Sequence, residues 1–530
     1  KLIELSETHR GTFSCQHRTF ERLLKAVIIH ELSHRKDHAE DVSSDRDFKR
    51  IVGVKRNTRF SKKIINHNTA VSPNPQEFED LEEAFAINME YLILDPEFQC
   101  RRPATADFLA KKIGLKRQNV CQKNYQVMVQ SAYPEDNYFS KSNIDPDRVF
   151  QVHYLFAGKG KEAMSRWGHA MFRLVICSPA RKVVGPECLK DVSHHVVLSY
   201  RAYMSDVKLD YSKGLFGGYP SQMFIFRFLE IVQEYTKHEL RDLYSVPLKL
   251  DHRQKKEFLD LAVERYWTYE GKYYFLDNNC GTEAVKHLAM ALNDDEARLI
   301  GSLTPLKIYN DIRKNGDRLV ERQLDLSRQD LVKEGVLIES LQASLNESLH
   351  FLKLYLPSFQ FDDLDSFFNQ SNVHLRYLDY LNFFNSYESS PEKKKVLLHA
   401  VFIERYMAGR FMMSFFKTVL EKMNKDKDLK AKVAEFSKGV HALSLRPWDI
   451  IKSAYGVPTQ DELLQLDQFN IERQARLQST LEAQLEKLEA ILSRDSFAKQ
   501  FEELKMLKTI KHLLDEKIHE IAKTPGGTNE

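Results

Sequence analysis

YYFLDNNCGTEAVKHL, residues 273–288, decides how the middle of this chain is read. Its first half is aromatic and extended in character. Its second half places apolar residues at helical spacing. The change falls at Asn278–Asn279, so Cys280 is predicted at a strand-to-helix junction, where a helix begins. A helix N-terminus carries about half a positive charge, which favours a thiolate. An imidazole beside such a thiolate completes an ion pair and later serves as general acid. Backbone N–H groups at the same junction suit an oxyanion, and Asn278 or Asn279 can add a side-chain donor. Upstream, RWGHAMFRL (166–174) puts His169 after Gly168 at the start of a predicted strand.

Around these two stretches lie more short β-branched and aromatic runs separated by turn residues: RVFQVHYLFAG, HHVVLSYRAYM, MFIFRFLEIVQEYT and DLYSVPLKL. With the helical HRQKKEFLDLAVERYW they predict an α+β domain over residues 146–328. Residues 1–145 read as mostly helical, and the polar SAYPEDNYFSKSNIDPD (131–147) reads as a boundary. Residues 329–530 lack strand signals. Their long amphipathic segments, and the recurrence Leu477, Leu481, Leu485, Leu488 and Leu492, predict an all-α bundle or long hairpin. These helices can dock a partner or form a coiled-coil dimer.

Length and composition agree with three domains. The chain has 530 residues and 42% hydrophobic content, enough for several cores. Its 78 basic and 75 acidic residues leave a net charge of +3, which argues against a nucleic-acid partner. No apolar run reaches the roughly 18 residues of a membrane span. The first residue is Lys1, as in a mature form whose leader has been removed. Cys177 and Cys188 flank a Pro/Gly-containing turn and are placed either to bridge it, which implies an oxidising compartment, or to be two buried thiols.

A second motif lies near the N-terminus. VIIHELSHRKD (27–37) contains His-Glu-x-x-His. On a helix, His30 and His34 share a face and can grip one cation, and Glu31 can take a proton from a metal-bound water. Zinc lowers the pKa of that water to about 7. EFEDLEEAFAINMEY (77–91) is a second predicted helix, with Glu79 and Glu83 four apart on one face. The pair of segments resembles the gluzincin arrangement, and most nearly its anthrax-lethal-factor-like variant. The resemblance implies Zn2+ held by His30, His34 and Glu79, with Glu83 orienting a ligand, although EDLEE in place of the more usual EDFAE leaves the choice between Glu79 and Glu83 open.

The middle domain carries a wider resemblance. WGHAMFRL, VVLSYRA, KGLFGGYPSQMFIFRF, RDLYSVPLKL and YYFLDNNCGTEAVKHL are together similar to the circularly permuted papain-like group. Within it they resemble the Lnb N-terminal periplasmic domain family. That likeness implies Cys280 as nucleophile and His169 as base, with His194, His195 or Ser199 as an orienting third residue. It also implies a periplasmic location and acyl transfer or amide/ester hydrolysis on a lipoprotein, peptide or peptidoglycan substrate, including one at a membrane surface. NNCGTE departs from the family's common NNCTTR at Gly281 and Glu283. Three functions follow as expectations: a thiol enzyme of the envelope with an added zinc peptidase-like site; a zinc peptidase whose thiol domain binds substrate; or a non-catalytic envelope assembly protein.

Overall fold

A computed structural model describes residues 19–53, 72, 74–116, 124–131, 139–160, 165–203, 219–274, 278–321, 324–386, 391–423, 451, 455–469, 472 and 497–523. The Leu477–Leu492 recurrence and the KGLFGG start of KGLFGGYPSQMFIFRF lie outside the described residues. Two compact units emerge. One comprises Lys1–Val232, Leu243–Ile338 and Ser444–Ala475, and the other Gln233–Asp242, Glu339–Leu443 and Arg476–Glu530.

The first unit is built on a nine-stranded sheet. Its strands are β1 (Gln126–Gln130), β2 (Phe139–Asn143), β3 (Val149–Ala157), β4 (His169–Ile176), β5 (Val196–Ala202), β6 (Tyr219–Arg227), β7 (Leu243–Pro247), β8 (Gly271–Tyr273) and β9 (Leu337–Ile338). They run in the order β2-β1-β6-β5-β4-β3-β7-β9, with β8 added to β6. β3 and β4 are central and almost wholly buried, which is why they read as near-continuous apolar runs. The segment expected to be a boundary instead contributes β2. This polar strand pairs with β1 at one edge of the sheet, where alternating apolar residues are not needed. MFIFRFLEIVQEYT also divides: β6 ends at Arg227, and Gln233–His238 winds as a π-helix.

The N-terminal side of the first unit's chain includes the helices α1 (Phe20–Glu40), α2 (Arg46–Val52), α3 (Leu81–Leu94) and α4 (Pro103–Ile113). α5 (His252–Thr268), α6 (Cys280–Ala291) and α7 (Pro305–Lys314) belong with the sheet. The expected separation at residue 145 is absent. Glu264 of α5 accepts hydrogen bonds from the Ala104 and Thr105 backbone N–H groups, at 2.7 and 3.0 Å, and so caps α4. Arg265 donates to the Arg50 carbonyl at the end of α2. A carboxylate at a helix N-terminus is stabilising, and both contacts join helical and sheet segments within one unit. Residues after 444 return to it as well: Arg101 meets Glu462 at 3.0 Å, and Val457 and Leu463 enter the sheet's core. These long-range returns have no local signature in the sequence.

The second unit is helical among its described residues, but the segment 329–530 expected to be all-α also gives β9 to the sheet and residues 444–475 to the first unit. α8 (Gln342–Lys353), α9 (Val373–Ser386), α10 (Pro391–Met423) and α11 (Ala498–Lys523) contribute Leu349, Tyr380, Ala400 and Ile510 to one core. Within it, buried Arg376 forms a two-pronged pair with Glu404, at 2.7 and 3.1 Å, and Tyr380 donates to the same carboxylate at 3.0 Å. Among the described residues, no helix is long and apolar enough to cross a membrane.

Candidate functional site

Cys280 is the first residue of α6, as expected, and is 6% exposed. Asn279 is the helix cap, its side-chain oxygen accepting from Gly281 N–H at 2.8 Å and Thr282 N–H at 3.2 Å. Gly168 has φ +82°, and a Cβ there would meet the Phe156 ring at 2.3 Å and the Ala157 carbonyl at 2.5 Å. Only glycine makes that turn, which delivers His169 as the first residue of β4. The backbone N–H groups of Ala170, the next residue, and of Gly281 favour the ionised form of the Cys280 thiol. His169 Nε2 lies 2.9 Å from Ser199 Oγ on β5. Arg201, two residues along the same strand, donates from Nε to that hydroxyl at 3.1 Å.

Electrostatics depart from the expected resting ion pair. Burial pushes the Cys280 thiol above its ordinary value, and the backbone N–H groups and the Arg201 charge only partly offset this. The helix-end charge is real but small beside the cost of an anion without water. The resting group is therefore the neutral thiol at pH 7.

The other expected participants sort by contact. Ser199 is the orienting candidate that meets His169. His194 is exposed. His195 is fully buried, accepts from Arg173 Nη2 at 2.9 Å and donates from Nε2 to the Cys188 carbonyl at 2.8 Å. Burial and the Arg173 charge push its pKa down to about 4, so it is a neutral strut rather than a partner of His169. Cys188 itself is bonded to Cys177, and Cys100 is disulfide-bonded too. Asn278 does not serve as an oxyanion donor, because its amide donates to Lys272 O at 2.8 Å and to Glu283 Oε1 at 2.5 Å.

That last contact explains Glu283, the departure from the family pattern. Its carboxylate is completely buried, accepts from Tyr269 Oη at 2.6 Å and lies 3.6 Å from Arg265. Arg265 donates to Tyr200 Oη at 2.8 Å, and Tyr200 pairs with His287 Nδ1 at 2.8 Å. His287 Nε2 donates to the Phe258 carbonyl at 3.0 Å, so Tyr200 is the donor to Nδ1. Glu283, in the first turn of the helix that Cys280 opens, thus supplies the counter-charge to Arg265.

The second cluster brings His30 and His34 together with Glu83. His30 Nε2 and His34 Nε2 are 3.0 Å apart, and the Glu83 oxygens lie 3.5 Å from His30 and 3.6 Å from His34. Glu79 is the corrected assignment. Asp80 caps α3 by accepting from Glu83 N–H at 2.9 Å, so the helix begins at Leu81 and Glu79 is left exposed in the preceding turn. Glu83 is accordingly a ligand candidate, not the residue that orients one. That orienting position belongs to Glu90, whose Oε1 is 2.7 Å from His30 Nδ1 and leaves Nε2 to face the cluster. Glu31 is exposed on α1.

The donor set fits a divalent ion. Among the described residues this is the one group of three whose ligand atoms converge, all within 4.8 Å. Tetrahedral zinc with bonds of about 2.0–2.2 Å spaces neighbouring ligand atoms by roughly 3.3 Å, which these separations bracket. Glu83 Oε2 is buried without a hydrogen-bond partner. Burial raises the Glu83 pKa, as expected of a carboxylate lacking a full counter-charge.

Residues 135–315 match the family model of the Lnb N-terminal periplasmic domain. The matched span holds Cys280, His169, Ser199 and Arg201, and it fits an envelope-associated protein. Residues 42–121 match a domain of unknown function, DUF7844, which contains Glu83 and Glu90 but not His30 or His34. That match carries no activity with it. No curated protein and no solved structure matches the chain.

Two participants were missed in the sequence. Glu90 had a signal: seven residues after Glu83, it falls on the same helical face. Arg201 had only the alternation of β5, which puts it on the face of Ser199.

Proposed function

We propose that this chain is a periplasmic thiol enzyme that transfers or hydrolyses an acyl group through Cys280. What supports the reading is a thiol that opens a helix, the Ala170 backbone acting on it, and a His169–Ser199 pair carried by the residue next to Ala170 on β4. His169 takes the thiol proton as sulfur attacks the carbonyl carbon of an amide or ester. Because Cys280 rests as the neutral thiol, proton transfer accompanies attack rather than preceding it. The tetrahedral oxyanion accepts a hydrogen bond from the Ala170 N–H. Collapse expels the amine or alcohol, which takes the proton from His169 and leaves an S-acyl enzyme. Water or a second amine then releases the acyl group by the reverse proton path. The oxidised Cys177–Cys188 pair supports an oxidising compartment. Lipoproteins and cell-wall peptides are the substrate classes the family likeness suggests.

Intact-mass analysis with a p-nitrophenyl acyl ester tests this. One acyl group should add per chain, the adduct should disappear in Cys280→Ala, and it should form at least a hundredfold more slowly in His169→Ala. The rate should climb through the ordinary thiol range and beyond, since the thiol pKa is raised. A full-mass adduct in Cys280→Ala sinks the reading.

A second activity is favoured by the His30–His34–Glu83 cluster: zinc-dependent peptide hydrolysis. Bound zinc would supply a hydroxide nucleophile and polarise the scissile carbonyl. His30, His34 and Glu83 would hold it, Glu90 would fix the His30 ring, and Glu31 would accept the water proton. Glu90→Gln is expected to weaken zinc binding about 10–100-fold, measured by competition with a chelating indicator. An unchanged affinity removes Glu90 from the site.

A further inference from the structure

We propose that Arg201 is a positioning residue of the thiol site, holding Ser199 against His169 and supplying the fixed positive charge that the Cys280 thiolate needs. This rests on the thiol reading above and extends it to a residue that the pairing of thiol and imidazole does not include.

The geometry runs through three side chains. Arg201 Nε donates to Ser199 Oγ at 3.1 Å, and the same oxygen is 2.9 Å from His169 Nε2. A hydroxyl that accepts from a guanidinium is not free to rotate away from the imidazole. The Arg201 guanidinium is itself anchored, lying over the Phe226 ring at 4.4 Å from its centroid. Arginine over an aromatic face is held in place without losing its charge. Ser199 is completely buried, so this polar contact works in a medium where charge is weakly screened.

The groups facing Cys280 leave Arg201 as its source of permanent charge. From β3 comes Tyr154, whose hydroxyl donates to the Pro305 carbonyl and which burial keeps neutral. From β4 comes the Ala170 N–H, from β5 Arg201, and from α6 the Gly281 N–H. Of these, Arg201 is positive at every working pH. Burial opposes ionisation of the thiol, and the Arg201 charge acts the other way. During attack, the same charge would stabilise sulfur as it gains negative character.

Thiolate absorbance at 240 nm, recorded against pH as the difference between the chain and its Cys280→Ala variant, reads this directly. In Arg201→Gln the Cys280 transition is expected to rise by about one pH unit. Arg201→Lys keeps the charge but not the planar Nε donor. Its transition should stay close to that of the unaltered chain, while acylation by the p-nitrophenyl ester slows several-fold because Ser199 is no longer held. A purely structural role would leave the sulfur titration in place in both variants. Superimposable titrations for Arg201→Gln and the unaltered chain overturn the proposal. So does an upward shift in Arg201→Lys as large as a full unit, a test that stands even if the glutamine variant fails to fold. Failure of the thiol reading is separate: it appears as no Cys280-dependent acyl adduct in the unaltered chain, whatever the titrations show.

Discussion

Glu83→Gln should strip zinc from the purified chain, while Glu79→Gln should retain about one ion. The two glutamates are four residues apart in the sequence, yet only Glu83 approaches both histidines, at 3.5 and 3.6 Å. Glutamine keeps the shape and removes the anionic ligand. Structural zinc sites release about 10–16 kcal/mol from four ligands, so one ligand is worth roughly 3 kcal/mol, or more than a hundredfold in affinity. Metal content after gel filtration in a weak chelator decides the matter. Zinc kept by Glu83→Gln and lost by Glu79→Gln would restore the helix phase expected from the sequence, and zinc bound by neither protein nor variant would remove the second activity altogether.

Glu283→Ala is expected to be among the most destabilising single changes in the first unit. Removing one partner of a buried ion pair typically costs about 3–5 kcal/mol, because the other charge is left without compensation. Here the stranded group is Arg265, 1% exposed, with Tyr269 and Asn278 also losing an acceptor. For a unit of this size the cost corresponds to a fall in melting temperature of roughly 4–7 °C. Glu283→Gln should cost less, since the amide oxygen can still accept from Tyr269. Calorimetry on both variants is the measurement, and a change below about 1 kcal/mol in Glu283→Ala would show that the network does not hold the Cys280 helix in place. The result also bears on the family departure at this position: NNCGTE is then a change of internal counter-ion in the first turn of the helix that Cys280 opens.

Local patterning made several elements legible. His30 and His34 sit one turn apart on α1, because helical spacing is a property of the backbone alone. Cys280 opens α6, because an aromatic extended run meets a helical one at two asparagines. The misassigned ligand was also readable: Asp80 followed three residues later by Glu83 is a helix-start pattern, and it places Glu79 outside the helix. What misled was the shared face of Glu79 and Glu83, which holds only if the helix extends back to both.

Other features had no local trace. β2 is polar because it occupies an edge, and edge position depends on where the remaining strands go. Glu264 caps a helix about 160 residues before it, and Tyr455 packs among the N-terminal helices, so the boundary expected at residue 145 was a boundary of pattern and not of packing. His195 looked as eligible as Ser199 until Arg173 and the Cys188 carbonyl had taken both its ring nitrogens.

By itself, the sequence determined which residues can start a helix, share a helical face or alternate along a strand, since these depend on backbone geometry over a few neighbours. Tertiary structure alone decided that the Glu83 helix is brought against His30, that Arg201 stands beside Ser199, and that burial pushes the Cys280 thiol above its ordinary value. Those outcomes depend on burial and on charges brought close by distant parts of the chain, which local order does not encode.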